Sequence, residues 1–179
     1  MTILDEQIKN CLNLGFHKHL GLSEQEYKDS FRTKAIQPVE YKGIFDYPVL
    51  VETRIPVKDL LMLSKIGDFI NVGNIKHQTD ENKTPYIFWT HDLMRYKGNT
   101  ISETQSKCLD FEIGCSIIEV VSFAIQYPHL CKGKAIDSPI TIFKGDYFAS
   151  LIVHQEKTEL ASHWINDRTE GFYSLTRGK

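Results

Sequence analysis

The stretch Ser116-Ile-Ile-Glu-Val-Val-Ser-Phe-Ala-Ile-Gln-Tyr127, closed by Pro128 and followed by Ile140-Thr-Ile-Phe143, Ser150-Leu-Ile-Val-His-Gln155 and Thr158-Glu-Leu-Ala-Ser-His-Trp-Ile165, decides the fold. Ser116 and Glu119 have the spacing of a capping box, and Cys115 with Val120 can form a hydrophobic staple. Ile118, Val120, Val121, Phe123 and Ala124 make the helix apolar around most of its girth, so it is expected to be largely buried. The runs that follow are short, rich in β-branched and aromatic residues, and separated by turn residues. They predict an antiparallel meander. A helix leading into a meander is a scaffold, and no catalytic signature sits on it.

Working outward, residues 3–14 read as a helix with Leu4, Ile8, Cys11 and Leu12 on one face and Gly15 as its left-handed stop. Ser23 and Glu26 form a second capping box, opening a helix expected to end near Lys34. Pro38, Gly43 and Asp46 break regular structure from 35 to 46. Residues 47–53 predict a strand, and Pro56 opens a short helix over 57–66 stopped by Gly67. Residues 69–72 predict a second strand, 74–84 a polar loop, and the aromatic run 86–91 a third strand. Gly98-Asn99 marks a turn, Ser102 can cap a helix to about Phe111, and Gly114 breaks it. The expectation is one α+β domain with helices packed on one face of a mainly antiparallel sheet: a helical pair (1–34), strand-helix-strand-strand (47–91), helices (102–127) and the meander (139–176).

The totals narrow the class. A chain of 179 residues suits one core. Its 41% hydrophobic and 25% charged content excludes disordered and fibrous types. The net charge of −2 disfavours nucleic acid as a partner, since only Lys132 to Lys134 and Arg177 to Lys179 are locally basic. No apolar run reaches the ~20 residues of a membrane span, and the N-terminus lacks a signal-peptide core. Cys11, Cys108, Cys115 and Cys131 are spaced neither as CxxC metal ligands nor as a compact disulfide framework, which points to a reducing, cytoplasmic setting.

Leu14-Gly-Phe-His-Lys-His-Leu-Gly-Leu-Ser-Glu-Gln-Glu-Tyr27, then Pro48-Val-Leu-Val51, Ile55-Pro56 and Phe123-Ala-Ile-Gln-Tyr-Pro-His-Leu130 resemble an uncharacterised bacterial family, a domain of unknown function of about this length. Its members similarly join two N-terminal helices through a Leu-Gly…Gly-Leu-Ser element and end a helix on Tyr-Pro before a closing β-meander. The chain departs from that pattern at Phe172-Tyr-Ser-Leu-Thr-Arg-Gly178, where small residues are typical. The resemblance implies the fold and a bacterial source, and carries over no catalytic residue.

Several side-chain groupings could carry chemistry. With Lys157-Thr158 as a two-residue loop, Gln155 faces Leu160, Val153 faces Ser162 and Leu151 faces Trp164 on the core side. The other face then carries Ile152, His154, Ala161, His163 and Ile165. His154 and His163 become near-diagonal neighbours: half of a metal site, a proton-transfer pair, or two half-exposed surface histidines. Phe88, Trp89, Tyr147, Phe148, Trp164, Phe172 and Tyr173 either build the core or, with His154, His163 and Arg168, line an open apolar pocket. The expected ligand-binding residues are therefore His154, His163, Trp164 and Arg168, and the expected metal ligands His154 and His163.

His17-Lys-His19 has a ligand spacing if extended, but lies in an inter-helix turn. His91 and Asp92 end an aromatic strand, where Asp92 suits a turn or cap. Cys115, just before a helix N-terminus, is the one thiol whose place suggests thiolate character, against a buried staple as the alternative. The leading expectation is a non-enzymatic binding protein for a protein partner or small ligand on an open sheet face. The alternatives are a small metal-assisted enzyme using His154 and His163, and a nucleic-acid-associated factor using Lys132, Lys134, Arg168 and Arg177.

Overall fold

The computed structural model describes residues 2–31, 35–75, 84–155 and 157–179. The chain is an α+β protein whose strands are mostly antiparallel, and they divide between two sheets. The first contains β1 (Tyr47–Val51), β3 (Tyr86–Thr90), β4 (Glu112–Gly114) and β9 (Thr176–Gly178), ordered β1-β3-β9-β4 and antiparallel throughout. The second contains β2 (Ile66–Asp68), β5 (Lys134–Lys144), β6 (Tyr147–Val153), β7 (Thr158–Trp164) and β8 (Phe172–Ser174), ordered β2-β7-β6-β5-β8. The expected meander is its centre, β5-β6-β7; β2 and β8 add in parallel at the two edges.

Capping decides where the helices start. Helix α1 (Ile3–Asn13) opens on a Thr2/Asp5 box, α3 (Glu24–Asp29) on Ser23/Glu26 and α6 (Ile117–Gln126) on Ser116/Glu119. Between the first two lies the single turn α2 (Phe16–His19), entered through Gly15 at φ 80°. The expected end of α3 near Lys34 lies outside the described residues; the regular turns finish at Asp29. Helix α4 (Val57–Leu63) stops short of Ile66 because Lys65 takes a left-handed φ of 56°. Ile66–Asp68 is thereby freed to pair with Thr158–Leu160, three residues before the strand expected at 69–72. Thr100, rather than Ser102, caps α5 (Ile101–Lys107) with Glu103. A short turn, α7 (Pro128–Cys131), follows α6.

Helix α6 is the spine of the core. It packs on β1 of one sheet and on β5 and β6 of the other, and eight of its ten residues are buried. Full burial of its Ile, Val and Phe side chains stabilises by about 1.5–3 kcal/mol each before conformational entropy is counted. Helix α1 covers the edge of β1 with a side chain: Gln7 Nε2 donates to the Pro48 carbonyl at 2.6 Å, and the Leu50 N–H donates to Gln7 Oε1 at 2.8 Å. Tyr127 also donates to the Pro48 carbonyl. An edge strand is thus closed without a further strand. Among the described residues no helix is long and apolar enough to cross a membrane.

Candidate functional site

The β6–β7 hairpin departs from the expected register. Val153 pairs with Thr158, Leu151 with Leu160 and Phe148 with His163. Strand β6 ends at Val153 and β7 begins at Thr158, and the His154 N–H donates to the Lys157 carbonyl. A two-residue loop at Lys157-Thr158 would need left-handed backbone at a β-branched threonine; the longer loop keeps Thr158 in the strand. The shift is even on balance, so Leu151 and Leu160 still face the core, but His154 leaves the strand. It lies five to six residues of ladder from His163, about 17–20 Å at 3.4 Å per residue. The two imidazoles therefore do not meet. His154 stands 3.7 Å from Glu159, and His163 turns to Asp137. Among the described residues no group of three or more His, Cys, Asp and Glu side chains is placed to share a metal ion.

The second sheet is curled, not open, around His163. Phe172 is three strands away from His163 in the order β7-β6-β5-β8, about 14 Å across the strands of a flat sheet and further along them. Their rings nevertheless stack at 4.0 Å with an 11° interplanar angle. The curl is permitted by small residues on the concave face: Ala135, Ser150 and Ala161 are all buried. Asp137 lies at its centre, 1% exposed, and its Oδ1 accepts from Ser150 Oγ at 2.5 Å and from His163 Nδ1 at 2.8 Å. A carboxylate oxygen can only accept, so His163 Nδ1 is the donor of this bond. Nε2 has no partner among the described residues and is not one of the buried unpartnered polar atoms, so it reaches solvent.

The other residues expected at this site scatter. Trp164 is 41% exposed at the end of β7, opposite Tyr147, which is also exposed. Arg168 pairs with Glu103 of α5. Phe148 and Tyr173 are core. The basic residues do not pool into a face either: Lys134 donates to the Leu130 carbonyl and lies over the Tyr173 ring, and Arg177 pairs with Glu119 at 2.6 Å. His17 and His19 diverge because the segment is a helical turn, in which residues two apart do not share a face. His17 is buried edge-on to Tyr27, while His19 lies 3.5 Å from Asp59. Cys115 is fully buried, and desolvation raises its thiol pKa well above the usual range, overriding the helix terminus.

His91 enters a buried polar network that pins β3, β4 and β9. Its Nδ1 accepts from the Leu93 N–H at 3.1 Å, its Nε2 bonds Thr176 Oγ1 at 3.0 Å, and Thr176 donates to Glu112. Glu112 also accepts two bonds from Arg95, one from Tyr96 Oη and one from the Leu109 N–H. Burial alone would raise the Glu112 pKa, but these donors overcome it and hold the carboxyl below its usual value. Burial pulls the His91 pKa down to about 4. Asp92 caps the Met94 N–H, the turn role expected of it.

A cavity of about 530 Å³ lies beside β3 and the last residues of β9, next to their single pair, Thr90 with Arg177. Ile87 and Trp89 of β3 and Leu50 of β1 line one side; Arg177 and Gly178 of β9 line the other, and Tyr41 and Pro38 close it. Tyr41 lies flat on Gly178, where a Cβ would collide with its ring, and donates to the Lys179 carbonyl. Of these residues the sequence marks only Trp89 and Arg177 as candidates for a binding role. Tyr41 sits in an irregular segment whose position no local pattern reveals. No family model matches the chain, and no curated protein or solved structure matches it.

Proposed function

We propose that the chain is a binding protein and that the cleft between β3 and β9 takes a partly apolar small ligand or a segment of a protein partner. The observation that carries this reading is the cleft itself: about 530 Å³, walled largely by rings and branched side chains, with Arg177 drawn into an ion pair behind it. Ligand sites are commonly concave and mainly apolar, with few polar anchors. Titrating the 15N-labelled protein with 2-naphthol tests it. Amide shifts centred on Tyr41, Ile87, Trp89 and Gly178, weakened in Ile87→Thr, support the reading. Shifts that are absent or spread over the surface overturn it. Membership of the bacterial family is proposed on the capping and Tyr-Pro motifs, and a cytoplasmic setting on the four free thiols.

A second reading, a small enzyme, is favoured by one observation: Asp137 orients His163 so that Nε2 faces water, the arrangement of a general base. It no longer draws on His154. Loss of any hydrolytic activity found in the purified protein on His163→Gln, with an unchanged melting temperature, would support it; retained activity would remove it.

A further inference from the structure

We infer that a second cavity, at the joint where α1, α4 and α6 end, binds a small primary ammonium carried on an apolar chain. It is a different site from the cleft beside β3 and does not depend on it. The cavity is about 380 Å³. Asn10 and Asn13 bring it the last turn of α1, Ala124 and Ile125 that of α6, and Ser64 the cap of α4. Leu14 and Ile66 join Ile125 in an apolar wall. None of the lining residues is titratable, so the polarity of the site comes from amides, hydroxyls and helix ends.

These groups are mostly acceptors. A helix carbonyl points along the axis toward the residue four places on. For Ala124 that residue is Pro128, which has no N–H, and both line the cavity. The Ala124 carbonyl therefore lacks, at the cavity wall, the partner that a continuing helix would supply. Asn10 Nδ2 donates to Gln126 Oε1 at 3.0 Å, and Asn10 Oδ1 remains to accept. The Ser64 hydroxyl oxygen is buried without a hydrogen-bond partner among the described residues. A turn about its χ1 brings it to the cavity without breaking a bond. The macrodipoles of α1 and α6 add partial negative charge at the same place, and neither last turn carries a basic residue to offset it. An anion would meet the wrong end of both helices. A primary ammonium has three donors, no acceptor and one positive charge, which matches the acceptors and the dipoles together. Its alkyl chain lies on the apolar wall.

The test titrates the 15N-labelled protein at pH 7 with hexylammonium chloride. Two controls carry the same chain: 1-hexanol, which has no charge, and hexyltrimethylammonium, which has the charge but no N–H. The inference predicts saturable amide shifts centred on Asn13, Ser64 and Ala124, and binding of each control weaker by about fivefold or more. Ser64→Ala removes a buried hydroxyl that has no partner, so the variant should keep the fold, and it should weaken hexylammonium about fivefold. Thr158→Lys, which sets a cation at the cavity wall, should weaken it at least as much. Binding of either control as tightly as hexylammonium overturns the inference. So do shifts that are absent or spread over the surface, and so does an unchanged affinity in either folded variant.

Discussion

Acidification should loosen the first sheet through His91. The ring is 4% exposed and neutral, and burial lowers its pKa from 6.5 to about 4 in the folded protein. An unfolded chain takes up the proton near 6.5, so between these values the unfolded state holds about one proton more. The stabilising effect of the neutral ring is fully present above pH 6.5 and is lost as pH falls toward 4. The lowering from 6.5 to about 4 corresponds to roughly 3 kcal/mol. That is a large part of the 5–15 kcal/mol of a typical domain. Most carboxylates remain ionised across much of this window, which separates the His91 effect from general acid unfolding. The assay is urea unfolding followed by circular dichroism at half-unit steps from pH 4.5 to 8, on the wild type and on His91→Gln. The glutamine can still accept from Leu93 and donate to Thr176 without titrating. The wild type should lose stability more steeply than the variant, by up to about one proton's slope, so the difference between the two curves should change steadily as pH falls from 6.5 toward 4.5. Parallel curves would refute the reasoning, because they would mean that His91 titrates alike in both states.

Asp137→Asn should cost about 1–3 kcal/mol in chemical denaturation, since the buried site loses the charge that accepts from both Ser150 and His163. Gly178→Ala should lower stability by about 1–3 kcal/mol and displace Tyr41, visible as a changed tyrosine environment in near-ultraviolet circular dichroism. In thiol labelling with a disulfide reagent, partly exposed Cys108 should react first. Cys11, Cys115 and Cys131 should react only on unfolding, their pKa values being raised by burial, to about 11 for Cys11 and about 12 for Cys131. Fast labelling of Cys115 would contradict the packing of α6. Glu112→Ala should cost about 3–5 kcal/mol by leaving Arg95 and Thr176 without their acceptor, measured by thermal unfolding.

Local chemistry made much of the scaffold legible. Capping boxes work within four residues, so Ser23/Glu26 and Ser116/Glu119 announce helix starts that hold in the structure. The apolar girth of α6 foretells its burial between the sheets. Alternation and turn residues mark β5, β6 and β7, and the aromatic run marks β3. Strands of three residues, such as β4, β8 and β9, are too short to leave a period, and Gly114 looks like a breaker although it lies in β4, where Pro139 and Ile140 crowd its Cα. The site was less legible. His163 stood out as a titratable strand residue, but its expected partner was nine residues away in the chain, whereas its actual partner Asp137 is reached only through the curl of the sheet.

The chain's own patterning therefore established an α+β protein, its capped helices, its central meander and its balanced charge, because each depends on residues close in sequence or on totals. Tertiary packing divided the strands between two sheets, set the hairpin register that parts His154 from His163, and buried Cys115. It also formed the cleft beside β3 and β9. These outcomes depend on which distant strands pair and how far a sheet curls, and such choices are made by packing across the core rather than by any local run of residues.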